Sequence, residues 1–267
     1  MMTNEKVMNI LDKIVVRKQQ EVADAKALIS VKDLEQSIHF KRTPYSFKEF
    51  LLAEDRTGII AEFKRRSPSK GLINGTADVA EVTQAYNNAG ASALSVLTDV
   101  DFFGGKTDDI LSARAANNIP ILRKDFMIDE YQILEAKAWG ADIILLIASI
   151  LTPQQISGFG KFAQSLGLNV LLEVHNLEEL ERSVCPNLDA IGINNRNLGD
   201  FTVNIQTSFD LVNKIPDEFM KISESAISNP QTIRELKTAG FNGFLIGENF
   251  MKTSNPGAAI KEFVGQI

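Results

Sequence analysis

Four side chains in this sequence have the type and spacing for proton-transfer chemistry: Glu62, Lys64, Lys124 and Glu173. Glu62 and Lys64 close the run Ile60-Ala61-Glu62-Phe63-Lys64. Being two residues apart, they face the same way along a strand. Lys124 follows Leu122-Arg123, and Glu173 ends the run Val170-Leu171-Leu172. A carboxylate at the end of an apolar run is costly to bury without a partner. Two lysines and two glutamates facing one cavity would form an acid/base set with coupled ionisation. A lysine close to another cation can be shifted toward neutral pH. Each residue alone has a plainer explanation: Glu62 and Lys64 as a structural ion pair, Lys124 as a lysine reaching solvent. Their joint placement argues for a site.

Three further runs end the same way, in Asn194-Asn195-Arg196-Asn197, Ser223-Glu224-Ser225 and Gly247-Glu248. Ser223 to Ala226 and Gly247-Glu248 precede helical patterns, and small residues there let backbone N–H groups approach a phosphate. Glu248 would then offer its amide and turn its side chain away. Phe102, Phe103 and Phe126 could wall an apolar pocket or belong to the core. Of the two histidines, His39 lies in a helical lead segment, and His175, two past Glu173, reads as structural support. No group of His, Cys and Asp has metal-ligand spacing, so no metal is expected. Cys185 is the only cysteine and follows a helical pattern, which marks it as a packing residue.

These groups share one site only if the chain gathers its strand ends. Eight short apolar runs are bounded by turn signals: Gly58 to Phe63, Ala93 to Leu97, Ile119 to Leu122, Ile143 to Ile147, Asn169 to Leu172, Ala190 to Ile193, Met220 to Ile222 and Gly243 to Ile246. Helical patterns alternate with them, as at Asp78 to Asn88, Asp129 to Trp139, Pro153 to Leu166 and Asn229 to Ala239. Several end at a glycine, the usual left-handed stop: Gly90, Gly140, Gly167 and Gly240. Continuously apolar strands indicate a parallel sheet buried on both faces. Eight βα units in sequence predict an α/β fold, a closed (β/α)8 TIM barrel, whose catalytic groups sit at the C-terminal strand ends. Neither a glycine-rich dinucleotide turn nor a Walker motif is present. The first fifty residues read as helical. Thr3 or Asn4 caps a helix carrying Val7, Ile10, Leu11, Ile14 and Val15, a short helix lies near Leu34, and Ser46 caps Phe47 to Leu52. The expected organisation is one domain, with a helical extension over 1–53 and the barrel over 54–267.

The chain has 267 residues, 44% of them apolar and 23% charged, as in an ordinary globular protein. A net charge of -6 argues against nucleic acid as a partner, while a few focused cations can still hold a small anion. Met1 to Val16 carries Glu5, Lys6, Asp12 and Lys13, so no secretory signal is expected. No apolar stretch approaches the roughly 18 residues of a membrane span. A cytoplasmic enzyme acting on a small phosphorylated molecule, without membrane contact, is expected.

The segment Ile60 to Gly71, IAEFKRRSPSKG, resembles the first-strand signature of indole-3-glycerol-phosphate synthases. The resemblance continues through Leu122-Arg123-Lys124-Asp125-Phe126, Leu171-Leu172-Glu173-Val174-His175, Gly192 to Leu198, Ser223-Glu224-Ser225 and Gly247-Glu248. It extends to Ile10-Leu11-Asp12-Lys13-Ile14 in the leading helix. It implies a carboxy-lyase of tryptophan biosynthesis acting on 1-(2-carboxyphenylamino)-1-deoxyribulose 5-phosphate by ring closure, decarboxylation and dehydration. No cofactor and a monomeric state are implied. Lys124 matches the general acid and Glu173 the acid/base of dehydration. Glu62 and Lys64 match the first-strand pair, in which the lysine steers the substrate carboxylate. Asn194, Arg196 and Glu224 match polar substrate contacts, and Phe103 and Phe126 the aromatic sandwich. Ser67, Ser225, Gly247 and the Glu248 amide match substrate or phosphate contacts.

Two departures stand out. Ala226 replaces a common glycine, so the phosphate turn is expected to keep a right-handed backbone there. Trp139 occupies a turn where a small residue is usual, and is expected to pack away from the chemistry. Alternative readings are another phosphate-binding barrel enzyme such as a phosphoribosylanthranilate isomerase, a Schiff-base aldolase using Lys124 or Lys64, and a non-catalytic phosphate-ligand sensor.

Overall fold

A computed structural model of the chain describes residues 9–267. The barrel strands are β1 (Ile59–Phe63), β2 (Ala93–Leu97), β3 (Ile121–Lys124), β4 (Ile143–Ile147), β5 (Asn169–Val174), β6 (Ala190–Asn194), β7 (Met220–Glu224) and β8 (Gly243–Ile246). Each is parallel to its sequence neighbours, and β1 also pairs with β8, at Ile59 with Phe244, so the sheet closes. The eight apolar runs thus become eight staves of one (β/α)8 barrel. β3 begins two residues later than expected: Pro120 lacks an N–H, and its carbonyl only accepts from Leu94 before the ladder starts. β5, β6 and β7 run on through Glu173, Asn194 and Glu224, so these polar residues are the last inward positions of their strands.

Strand alternation sorts the side chains. Ile59, Ala61 and Phe63 pack outward in the layer that meets the helices, with Ile144, Leu146, Val170 and Leu172. Ile60, Leu122, Ile143, Leu145 and Leu171 point inward and fill the barrel. Helices are α1 (Ile10–Leu28), α2 (Val31–Glu35), α3 (Phe47–Leu52), α4 (Val79–Asn88), α5 (Thr107–Ala116), α6 (Glu130–Ala138), α7 (Pro153–Ser165), α8 (Leu177–Ser183), α9 (Gln206–Leu211), α10 (Pro230–Ala239), α11 (Glu248–Met251) and α12 (Pro256–Val264). Their starts carry the expected chemistry: Asp129 and Thr152 form capping boxes, and Pro153 and Pro230 occupy the first turn. Gly90, Gly140, Gly167 and Gly240 all have positive φ past helix ends. Trp139 packs outside the barrel, its ring 4.1 Å from the Arg123 guanidinium.

The extension is a strap. The expected cap at Thr3 or Asn4, and Val7, lie outside the described residues; the described helix starts at a capping box formed by Asn9 and Asp12. α1 lies over the C-terminal rim, where Ile10, Leu11 and Ile14 line a cleft. Lys26 pairs with Asp129 at 2.7 Å, α2 packs on α6, and α3 closes the opposite mouth. There Phe47 and Leu51 join the inward cluster, and the Phe47 N–H donates to Asn169 Oδ1 at the foot of β5. Asp142, fully buried before β4, ties this end together. It accepts from Arg42 (2.6 Å), Arg114 (2.9 Å) and the N–H groups of Tyr45 (2.7 Å) and Ile121 (2.8 Å).

Candidate active site

The C-terminal strand ends converge on a cleft with roughly 920 Å³ of empty space, counting its open mouth. Glu62, Lys64, Ser67, Phe103, Lys124, Phe126, Glu173, Asn194, Arg196, Glu224, Ser225 and Glu248 all line it. Ala226 and Gly247 line a contiguous recess beyond Ser225. Every residue matched to a site role therefore reaches one place, whereas Phe102 packs against the inward cluster and does not line the cleft.

At the centre, Lys124 Nζ lies 3.0 Å from Glu173 Oε2 and 2.9 Å from Glu224 Oε2. Burial alone would weaken the ammonium, but Glu173, Glu224 and Glu62 outweigh it and hold Lys124 far above its ordinary range. The expected downward shift is thus corrected: the nearest charges are carboxylates, not cations. Burial would also raise Glu173, yet Lys124 and His175 keep it well below the usual carboxylate range. For Glu224 burial prevails against Lys124, with Glu173 adding, and the carboxyl is pushed up to about 7. Two carboxylates on one ammonium are driven apart in function: Glu173 stays ionised, while Glu224 can hold a proton near neutrality.

Around this triad the sequence pairings hold. Lys64 Nζ meets Glu62 Oε1 at 2.7 Å, and Asn194 Nδ2 donates to Glu173 Oε1 at 3.2 Å. The rings of Phe103 and Phe126 stand 5.9 Å apart at 41°, forming the apolar side. His175 lies between Glu173 (3.3 Å) and Glu179 (3.1 Å). Burial opposes its charge, but both carboxylates raise it to about 10. It supports Glu173 from behind, as its position two residues on suggested.

Two expectations about the phosphate side are corrected. Ser225 and Ala226 both have positive φ, 65° and 63°, so the turn is left-handed even without glycine. A single alanine in that region costs roughly 1–2 kcal/mol. The turn is held from below by Asn195, whose side chain donates to the carbonyls of Glu224 (2.9 Å) and Ser225 (3.3 Å). That anchoring fixes a backbone the residue type disfavours. Second, the Glu248 carboxylate does not turn away: it reaches Arg196 (3.3 Å) and Lys70 (3.4 Å) across the cleft mouth.

Two glycines make room for the carboxylates, of which only Gly247 was singled out from the sequence, and there for the phosphate. A Cβ on Gly192 would fall 2.2 Å from Glu224 Oε1, and one on Gly247 2.5 Å from Glu62 Oε1. A lone glycine inside a strand is the available signal for such close approach. Gly192→Ala is expected to leave the fold intact, because the atom it meets is the end of a side chain that can swing. It should lower kcat/KM on the order of 10²-fold, because Glu224 leaves Lys124. Steady-state kinetics beside a melting curve checks this; wild-type kinetics in a folded variant would show that Glu224 need not be placed. Lys18, Asp99 and Asp125 were likewise not foreseen as part of the surroundings.

Among the described residues no group of three or more His, Cys, Asp or Glu could hold a metal, and no helix is long and apolar enough to cross a membrane. The family model for indole-3-glycerol phosphate synthase matches residues 11–263. A Bacteroides thetaiotaomicron protein described as indole-3-glycerol phosphate synthase is 48% identical over 259 residues, 97% of this chain and 99% of its own. One from Bordetella pertussis with the same description is 40% identical, over 96% of this chain and 99% of its own. A solved structure described as "Native KDPGal structure" superposes with a TM-score of 0.57 at 14% identity, over 80% of this chain and 96% of that one. At that identity it speaks for the barrel alone.

Proposed function

The chain belongs to the indole-3-glycerol phosphate synthase family, and from that premise we propose which residues carry the family's reaction. The activity is a carboxy-lyase step of tryptophan biosynthesis. It converts 1-(2-carboxyphenylamino)-1-deoxyribulose 5-phosphate to indole-3-glycerol phosphate, carbon dioxide and water. The observation that carries the assignment of roles is Lys124 held between Glu173 and Glu224 beside the Phe103–Phe126 wall.

Ring closure joins the carboxylate-bearing aromatic carbon to the ribulose carbonyl carbon. Negative charge develops on the carbonyl oxygen, and Lys124, fully protonated, donates to it. The aryl–carboxylate bond then breaks, carbon dioxide leaves, and its electron pair restores the aromatic ring. An apolar wall favours this loss of charge over water; Phe103 and Phe126 supply it, while Lys64 steers the carboxylate at the outset. Once Lys124 has given up its proton, the main influence holding Glu173 ionised disappears, and Glu173 becomes a stronger base. It then takes the proton lost from the adjacent carbon, while Lys124, given a new proton by Glu224 at 2.9 Å, passes that proton to the hydroxyl, which leaves as water. Glu224, able to hold a proton near neutral pH, contacts a substrate hydroxyl together with Asn194. Ser67, Ser225, Ala226, Gly247 and the Glu248 amide receive the phosphate. Arg196 and Lys70 supply positive charge at the mouth, moderated by the Glu248 carboxylate.

A Schiff-base role for Lys124 requires a free amine, which two adjacent carboxylates oppose. The direct test is incubation of the purified protein with the carboxyphenylamino-deoxyribulose phosphate in EDTA, following indole absorbance and fluorescence. Turnover undiminished by the chelator is expected; absence of indole product would overturn the reading.

A further inference from the structure

We infer that Lys18, on the N-terminal helix α1, is a positioning residue that sets the aromatic wall of the cleft, rather than a surface lysine of a packing helix. Its side chain is 3% exposed. Its ammonium stands 3.0 Å from Asp99 Oδ2 and 2.9 Å from Asp125 Oδ1, and donates to Glu21 at 2.6 Å. Each of those two aspartates in turn holds the backbone of a wall residue. Asp99 Oδ1 accepts the N–H groups of Phe102 (2.9 Å) and Phe103 (3.0 Å). Asp125 Oδ1 accepts the N–H of Phe126 at 2.8 Å. One cation therefore ties together the loops after β2 and β3, and fixes how far Phe103 stands from Phe126.

Three features argue for a dedicated function. Lys18 falls in line with the buried Ile14 and Val22 at a spacing of four residues, on the apolar side of α1 where a lysine is costly. Burial opposes its charge, and Asp125 and Asp99 overcome it. Asp125 needs Lys18 only in part, since Arg123 (3.1 Å) and Thr98 (2.6 Å) also hold it. Asp99, by contrast, has no other cation within ion-pair distance among the described residues, so the Phe103 loop depends on α1. The same helix lines the cleft with Ile10, Leu11 and Ile14. It is thus both part of the wall and its anchor.

This inference rests on the reading of Phe103 and Phe126 as the wall for the substrate's aromatic ring. Kinetics of full-length Lys18→Met and Phe103→Ala, with inorganic phosphate as a competitive probe of the opposite end, separate the two. Displacing a contact group by about an ångström can cost up to ~10²-fold. Lys18→Met is expected to raise KM on the order of 10-fold, while the inhibition constant of phosphate stays at the wild-type value. Phe103→Ala should do the same. A rise in KM for Phe103→Ala but not for Lys18→Met overturns the role of Lys18 and leaves the wall standing. No rise for Phe103→Ala removes the wall reading itself. Equal weakening of substrate and phosphate by Lys18→Met means general disorder of the rim and also overturns the inference. If Lys18→Met does not fold because the buried Asp99 loses its cation, Lys18→Arg keeps the charge with a different reach. The same split between KM and phosphate inhibition is then expected, and its absence counts against the inference.

Discussion

Lys124→Ala is expected to lower kcat by at least ~10²-fold, the lower end of what a positioned general acid contributes. The variant should still fold. Removing the ammonium leaves Glu173 and Glu224 facing one space, and two such carboxyls can share a proton rather than both ionise. Lys124→Arg sharpens the experiment. Arginine keeps the positive charge but stays protonated in proteins, so it can stabilise charge without handing over a proton. If proton donation is the role, Lys124→Arg remains nearly as impaired as Lys124→Ala in steady-state kcat. Recovery to within a few-fold of wild type would mean that Lys124 acts only as a fixed charge. A wild-type rate in Lys124→Ala would remove it from the mechanism.

The second large effect lies at the other end of the barrel. Asp142→Ala should cost about 3–5 kcal/mol of stability, the range for breaking a buried ion pair by deleting one partner. Asp142 neutralises Arg114, whose side chain is 4% exposed, and engages Arg42 from the extension. It also satisfies the N–H groups of Tyr45 and Ile121, which are left wanting when it goes. In a chain of this size such a loss lowers the melting temperature by roughly 10 °C. Because Arg42 and Tyr45 belong to the extension and Ile121 to the barrel, extension and barrel are expected to unfold in one transition. At temperatures where the variant is folded, its kcat should equal that of wild type, since the chemistry is at the opposite rim. Calorimetry and kinetics decide this together. A loss below ~1 kcal/mol would mean that Arg42 and Arg114 find other partners, and two separated transitions would divide the extension from the barrel.

Sequence reasoning reached far at the level of elements. Alternating apolar runs and helical patterns are local signals, and caps such as Asp129 and stops such as Gly240 are read within one turn. The gathering of the candidate residues was legible because a parallel barrel places the last inward side chain of every strand at one end. Glu173 and Lys124 could therefore be brought together without knowing a single distance. Ala226 shows the limit. Its residue type opposes a left-handed backbone, yet φ is 63° there, in a turn whose Ser225 carbonyl is held by Asn195 from another strand end. Glu248 shows it again, since its direction is set by Arg196 and Lys70, which are distant in the chain.

The sequence by itself determined the eight-unit barrel, the rim that gathers its polar strand ends, and which ionisable side chains meet there. Periodicity and strand alternation depend only on near neighbours along the chain. The tertiary structure decided the ionisation of those residues, the handedness of the phosphate turn, and the use of α1 as roof and anchor. Each of these depends on Coulomb and hydrogen-bond contacts a few ångströms long between segments far apart in sequence. Lys124 is a strongly held ammonium rather than a near-neutral amine because Glu173 and Glu224 come from two other strands. That meeting is a property of barrel closure, and no local pattern encodes it.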